Sequence, residues 1–320
     1  MKKIAILLAT YNGQDYIEEQ LDSILQNIKK LDKNHYLVDI IVSDDSSGDL
    51  TINHIIEFKK NYPNIYILDS KKKGGALANF SFLLKNVDEN YDIYFFSDQD
   101  DYWLPNKMLS FIEKFDVESE ANEVPILVHS DLSIVSQDLF PLSHSMFNYQ
   151  KLNKDASAYN LIVQNSITGC VMAINRSLLL KAKNSQIQNS IMHDWYIGII
   201  ASLFGKIYFI DKPTILYRQH AKNEVGAKKF NFSYIISKLS KFKENYKLAL
   251  LSLERISQQA KLFIEDFGHE LLPEQRRFIK MYASINTLSI YSRLKLFLEG
   301  FRKNGTVRNI FYIYFLIMRK

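Results

Sequence analysis

The chain has 320 residues, 47% of them hydrophobic and 23% charged, with a formal net charge of +5. That length can bury one large core with room for an appendage, and 11 Gly and 6 Pro against 21 Phe and 19 Tyr exclude a disordered or loop-rich chain. One cysteine, Cys170, excludes an internal disulfide and points to a reducing compartment such as the cytosol.

Residues 4–9 form a short apolar, β-branched run, fit for a buried parallel strand. The two lysines before it imitate a signal peptide. The run ends, however, in the turn residues Thr10-Tyr11-Asn12-Gly13 rather than at a small-residue cleavage site, so a buried first strand is expected. Residues 15–28 carry apolar side chains at 17, 21, 24, 25 and 28, a helical spacing. A second strand is expected at 38–42, a helix at 51–61, a third strand at 65–68, a helix at 76–86 and a fourth strand at 93–96. This β-α-β-α-β-α-β order implies an α/β fold with a mainly parallel sheet under covering helices. Ligands bind such sheets beyond the carboxyl ends of the strands. Thr10-Tyr11-Asn12, Asp44-Asp45 and the run from Asp98 to Asp101 all fall at such ends.

Further along, a helix is expected at 107–115, strands at 126–129 and 169–174, a helix at 192–204, and two short strands at 207–210 and 214–217. Helices rich in Lys and Arg follow from residue 230. No run approaches the roughly 18 apolar residues of a membrane-spanning helix. Charge divides the chain: residues 221–320 hold 19 Lys/Arg and 8 Asp/Glu, a net +11, which leaves −6 for residues 1–220.

The stretch FFSDQDDYW at 95–103 crowds three carboxylates into four positions. Hard oxygen ligands after a strand suit Mg²⁺ or Mn²⁺, held by one or two carboxylates and a substrate's phosphates. The competing reading is a solvated acidic loop with Asp101 capping a following helix. Asp44 and Asp45 read either as ligand-facing groups or as turn residues. Asp194, near the start of the helix expected at 192–204, reads as a helix cap.

Four separated segments, ATYNG at 9–13, SDDSSGD at 43–49, SDQDDYWLPNK at 97–107 and HDWYIG at 193–198, resemble family 2 glycosyltransferases. Together with YRQH at 217–220, the DQDD variant is similar to the rhamnosyltransferase-like branch that builds bacterial surface polysaccharides. The resemblance covers about residues 1–225. It implies a GT-A fold: a catalytic domain at 1–225, with a nucleotide-binding half at 1–104 and an acceptor half at 105–225, then a helical region at 226–320.

By the same resemblance, Ala9, Thr10, Tyr11 and Asn12 line the nucleobase pocket, and Asp45, or else Asp44, accepts from a pyrimidine N–H. Lys73 (or Lys72), Asn79, Gln99 and Arg218 contact the donor. Asp98 and Asp100 form the metal-diphosphate pair, and His220 completes the metal shell. Asp194 is the general base of an inverting transfer, and His193 and Trp195 shape the acceptor pocket. No QxxRW motif is found, which points to a single addition rather than a processive synthase.

The implied partners are a UDP- or dTDP-sugar, dTDP-rhamnose foremost, and a saccharide acceptor on a polyprenyl diphosphate at the cytoplasmic face of the plasma membrane. The basic, aromatic-rich region after residue 225 suits an anionic membrane surface, or else packs on the catalytic domain or forms a homodimer. A nucleic-acid partner is not expected, since no recognised motif accompanies the basic residues. Two other functions stay open: a nucleotidyltransferase, although residues 9–14 lack its Gly-rich basic signature, and a non-catalytic assembly protein. Without donor and metal, the loop at 98–101 is expected to be poorly ordered.

Overall fold

The computed structural model describes residues 1–117, 124–155, 157–221, 226, 229–230 and 242–318. Its first half follows the expected alternation: β1 (Lys2–Thr10), α1 (Ile17–Ile28), β2 (Tyr36–Asp44), α2 (Thr51–Asn61), β3 (Ile65–Asp69), α3 (Ala76–Asn86) and β4 (Ile93–Ser97). β1 is buried from Ile4 onward, and β4 along its whole length. That explains why both read as continuous apolar runs rather than as alternating patterns.

The second half comprises β5 (Tyr102–Trp103), α4 (Lys107–Val117), β6 (Ile126–Val135), β7 (Pro141–Ser143), α5 (Met146–Gln150), α6 (Ala158–Val163), β8 (Met172–Asn175), α7 (Arg176–Lys183), α8 (His193–Phe204) and β9 (Lys206–Arg218). The helices α9 (Phe242–Phe267), α10 (Pro273–Ala283), α11 (Ile290–Leu298) and α12 (Thr306–Met318) follow.

The strands form one sheet in the order β3-β2-β1-β4-β8-β6-β9-β5, with β7 on β6. The β3-β2-β1-β4 half is parallel as expected, whereas β8 runs antiparallel to both β4 and β6, so the whole sheet is mixed. Where a strand was expected at 169–174, a 3₁₀ turn, Gly169–Val171, precedes β8. The two strands expected at 207–210 and 214–217 are one strand, β9, whose register on β6 shifts at Pro213. Proline has no N–H to offer the ladder, so the pairing skips there.

Register brings the polar strand ends together. Thr10 at the end of β1 lies opposite Asp44 at the end of β2, and Leu8 lies opposite Ser97 at the end of β4. On one face of the sheet the C-terminal helices share the core of residues 1–225: Phe263, Phe278, Tyr282, Phe301 and Tyr312 join Leu161, Tyr196 and Ile200. Asp266 accepts hydrogen bonds from the Gln186 N–H and the Tyr196 hydroxyl, which fixes α9 to this face. The described helices of the basic region therefore pack on residues 1–225, which is compatible with membrane contact on their outer faces. Lys228, Phe232, Tyr234, Lys238 and Lys241 lie outside the described residues.

Candidate active site

A cleft of about 500 Å³ opens over the strand ends, and Ala9, Thr10, Tyr11, Asp45, Asn79, Asp98, Gln99, Asp100, His193, Asp194 and Trp195 all line it. Most of the expected residues therefore converge on one cavity, although they come from positions as far apart as 9 and 195.

The two aspartates after β2 do different work. Asp44 is buried and accepts from the Thr10 hydroxyl at 2.8 Å and the Ser47 N–H at 2.8 Å, so it braces the turn. Asp45 accepts the N–H groups of Lys73, Gly74 and Gly75. Positive φ angles of 102° and 109° at Gly74 and Gly75 allow this convergence, a backbone that only glycine adopts without strain. Burial works against the Asp45 charge, but those three donors outweigh it and hold the carboxyl below its ordinary value. Asn12, which like Asp44, Lys73, Arg218 and His220 does not line the cleft, accepts the Gly48 N–H with its side chain and so joins the two turns.

Two expected donor contacts have partners within the chain. The Lys73 ammonium lies on the carbonyls of Asp44 and Lys71, 2.9 and 2.6 Å away, and is not part of the cleft wall. Asn79 donates to the carbonyls of Thr10 and Ser43 and so ties β1 to β2, while it also lines the cleft and its buried Oδ1 has no hydrogen-bond partner among the described residues.

Gln99 clamps the acidic loop to β1: its carbonyl accepts the Tyr11 N–H at 2.7 Å and its amide donates to the Tyr11 carbonyl at 2.8 Å. Arg218, expected on the diphosphate, is buried and committed to the loop: its Nε donates to the Asp100 carbonyl at 2.8 Å, and its terminal nitrogens go to the Gln137 carbonyl and the Glu19 carboxylate. His220 Nε2 lies 2.8 Å from Asp100 Oδ2, and the Tyr16 ring stacks on the imidazole at 4.8 Å. The loop at 98–101 is thus held at several points by the chain itself, contrary to the expectation of disorder.

Asp101 is also not the cap it was read as. It is buried and accepts the Arg218 N–H, and α4 begins only at Lys107. Burial first, then the nearby charges of Asp100 and Asp98, push its carboxyl well above the usual range, and burial does the same to the Cys170 thiol. Asp98, Asp101 and Cys170 bring one ligand atom each within 4.8 Å, but a soft thiol among them suits a hard cation poorly. Asp100 and His220 fit one better. Two cis ligands of an octahedral ion with bonds of about 2.1 Å stand about 3 Å apart, close to the 2.8 Å separation of this oxygen and nitrogen.

Asp194 lies in the first turn of α8, whose N-cap is Met192, so it is not the cap. Its carboxylate accepts the Gly169 N–H at 3.0 Å and the Asn165 amide at 3.2 Å. Burial lifts its pKa to about 7, with these donors and the Trp195 N–H pulling the other way. A carboxylate poised near neutrality suits general-base work. His193 stacks on Phe80 at 4.1 Å, and burial lowers its pKa to about 3, so it is a neutral ring in the cleft wall. Trp195 lines the cleft, and its indole N–H bonds the Leu161 carbonyl.

Sequence reasoning passed over Asn165, the Gly169 N–H, Tyr16 and the apolar wall of Met146, Leu152 and Ile167. The one available signal was the polar run Asn165-Ser166 ahead of Thr168-Gly169.

Comparison with known proteins agrees with this geometry. The family described as "Glycosyl transferase family 2" matches residues 5–225. The chain is 36% identical over 231 residues to the dTDP-rhamnosyl transferase RfbG of Shigella flexneri, covering 69% of this chain and 74% of that protein. Among solved structures, residues 1–349 of S. aureus TarS in complex with UDP-GlcNAc are similar, with a TM-score of 0.54, 17% identity, and coverage of 92% of this chain and 83% of that one. The mannosyltransferase PcManGT from Pyrobaculum calidifontis, in complex with GDP-Man and Mn²⁺, gives a TM-score of 0.52 at 14% identity, with coverage of 92% and 73%. These two share the fold, which is GT-A-like. The chain belongs to glycosyl transferase family 2, in its rhamnosyltransferase-like branch, and is a sugar-transferring enzyme. The nucleotidyltransferase and non-catalytic readings fall away.

Proposed function

We propose that this family 2 enzyme performs an inverting transfer of one sugar from a nucleoside-diphosphate sugar, dTDP-rhamnose foremost, to a hydroxyl of a growing lipid-linked bacterial saccharide. One observation carries the reading: a buried carboxylate with a pKa of about 7, Asp194, shares a cleft with Asp98 and Asp100, and His220 meets Asp100 from behind the cleft lining. The choice of dTDP-rhamnose over a UDP-hexose rests on the 36% identity to a dTDP-rhamnosyl transferase. The acceptor is placed on a polyprenyl diphosphate at the cytoplasmic membrane face, which the basic C-terminal region would approach.

Inversion needs a proton acceptor on one side of the anomeric carbon and leaving-group stabilisation on the other. Asp194 takes the acceptor hydroxyl's proton as its oxygen attacks the anomeric carbon. The Asn165 and Gly169 donors fix the carboxylate's direction. Thr10, Tyr11 and Asp45 border the nucleoside end, and the neutral His193 ring and Trp195 border the acceptor. Asp100, Asp98 and His220 would hold Mg²⁺ or Mn²⁺, which neutralises charge on the departing diphosphate. Tyr16, stacked on His220, and Arg218, bonded to the Asp100 carbonyl, keep those ligands in place.

The test is transfer of labelled sugar from dTDP-rhamnose and from UDP-hexoses to a lipid-linked acceptor extract, with and without EDTA. Transfer from dTDP-rhamnose that stops in EDTA and returns with Mn²⁺ is expected. Full activity in EDTA would remove the metal role of Asp98, Asp100 and His220, and exclusive use of a UDP-sugar would remove the rhamnosyl assignment.

A further inference from the structure

The last described helix, α12, is apolar on every side from Ile310 onward. Residues 310–318 read IFYIYFLIM without one charged or small residue. Such a helix is ordinarily buried all round. Here only one face is: Tyr312 and Leu316 sit in the core at 1% and 2% exposure, and Phe315 meets Tyr246 of α9. On the opposite side Val307, Ile310, Tyr314, Ile317 and Met318 are 37–61% exposed. Their spacing of three to four residues makes one continuous stripe along α12.

What covers this stripe is indicated by charge. Residues 290–320 hold seven Lys/Arg against a single acidic residue, Glu299; Lys295 and Arg302 are exposed and Arg319-Lys320 follow α12 in the sequence, whereas Arg293 is buried and Arg308 is bonded to the Gln150 and Lys151 carbonyls. A second copy would bring an equally basic region against the first, which is unfavourable, whereas an anionic lipid surface is complementary. The apolar run of nine residues is about half the length needed to cross a bilayer. No described helix is long and apolar enough to do so. A helix of this kind lies in the plane of the interface.

We infer that the outer stripe of α12 seats this enzyme on an anionic membrane surface. The same helix is fastened to the rim of the cleft. Arg308 donates to the Lys151 carbonyl at 3.0 Å and to the Gln150 carbonyl, and its guanidinium lies 3.8 Å over the Phe230 ring. Gln150 and Leu152 line the cleft. Seating α12 therefore sets the height and tilt of that rim above the lipid headgroups, where the lipid-linked acceptor of the proposed function would present its sugar. The orientation rests on that acceptor reading; the docking face does not.

The experiment uses the full chain and vesicles alone. Co-sedimentation is measured with phosphatidylglycerol-rich vesicles and with pure phosphatidylcholine vesicles, for the wild type and for the triple variant Ile310→Ser, Ile317→Ser, Met318→Ser. These side chains are exposed, so folding is expected to be kept, and the thermal midpoint and donor hydrolysis in the absence of vesicles serve as controls. The wild type is expected to bind the anionic vesicles, and the variant to bind them roughly tenfold or more weakly. Equal binding by variant and wild type overturns the inference, as does equal binding to neutral and anionic vesicles. A wild-type dimer that the variant converts to monomer, with no vesicle binding, makes the stripe an interface between copies and also overturns it. Donor hydrolysis that fails while vesicle binding holds would count against the proposed function and not against this face.

Discussion

Replacing Asp194 by Asn tests the electrostatics of the site through stability as well as rate. Its pKa of about 7 stands some three units above the ordinary value of 3.8. At 1.36 kcal/mol per unit, ionised Asp194 costs the folded state about 4 kcal/mol relative to the unfolded chain. The raised folded pKa fixes the sign. The protonated form is retained in the native state, so the wild type loses stability as pH rises between the two pKa values and levels off above about 7. Linkage gives a cost of about 1.7 kcal/mol near pH 5 and about 4 kcal/mol near pH 8, a difference of about 2.5 kcal/mol. The Asn variant has no such dependence. It also turns an amide towards the Gly169 N–H or the Asn165 amide, a mismatch of about 1–3 kcal/mol that does not vary with pH. Urea unfolding of both proteins at the two pH values isolates the electrostatic part: the stability difference should move in favour of the variant by about 2.5 kcal/mol on going to about pH 8. The rate should fall by about a hundredfold or more, because proton transfer is lost. A stability difference that is the same at both pH values would refute the claim that this carboxylate is held near neutrality by burial.

Asn165→Ala removes a donor that favours the ionised base, so the acidic limb of the wild-type rate profile should move up by about half a unit to one unit; an unmoved limb would show that the 3.2 Å contact does not act on Asp194. Asp45→Asn sets an amide against the N–H groups of Lys73, Gly74 and Gly75, so calorimetry should show dTDP and UDP binding weakened by about tenfold, and unchanged affinity would separate that loop from nucleotide binding.

The parallel half of the sheet was legible because each of its strands is a continuous apolar run and each helix between them carries its own periodicity. The expected helices at 51–61 and 76–86 match α2 and α3 to the residue. Short elements were not legible. β5 has two residues and exists only because it pairs with β9, more than a hundred positions away. The same distance hid the true partners of the charged residues. Asp101 looked like a cap because the sequence shows its neighbours and not the Arg218 N–H that meets it. Arg218 looked like a phosphate ligand because the carbonyls of Asp100 and Gln137 leave no trace in composition. Asp194 could be picked out by its place at the start of α8. Asn165, which orients it, comes from a segment with no pattern of its own.

The pairing of Tyr102 with Leu216 and of Trp103 with Ile215 places the acidic loop and the YRQH segment on one short ladder. Everything between residues 104 and 214 leaves that ladder and returns to it, like a bight of rope tied at its neck. The separation of Asp100 from His220 is then set at the neck, by β5, β9 and Arg218, with β6 of the bight bracing β9 through the pairing of Val135 with Arg218. In such a layout one short ladder holds Asp100 beside His220 and also anchors both ends of the segment that brings Asn165 and Asp194 to the cleft.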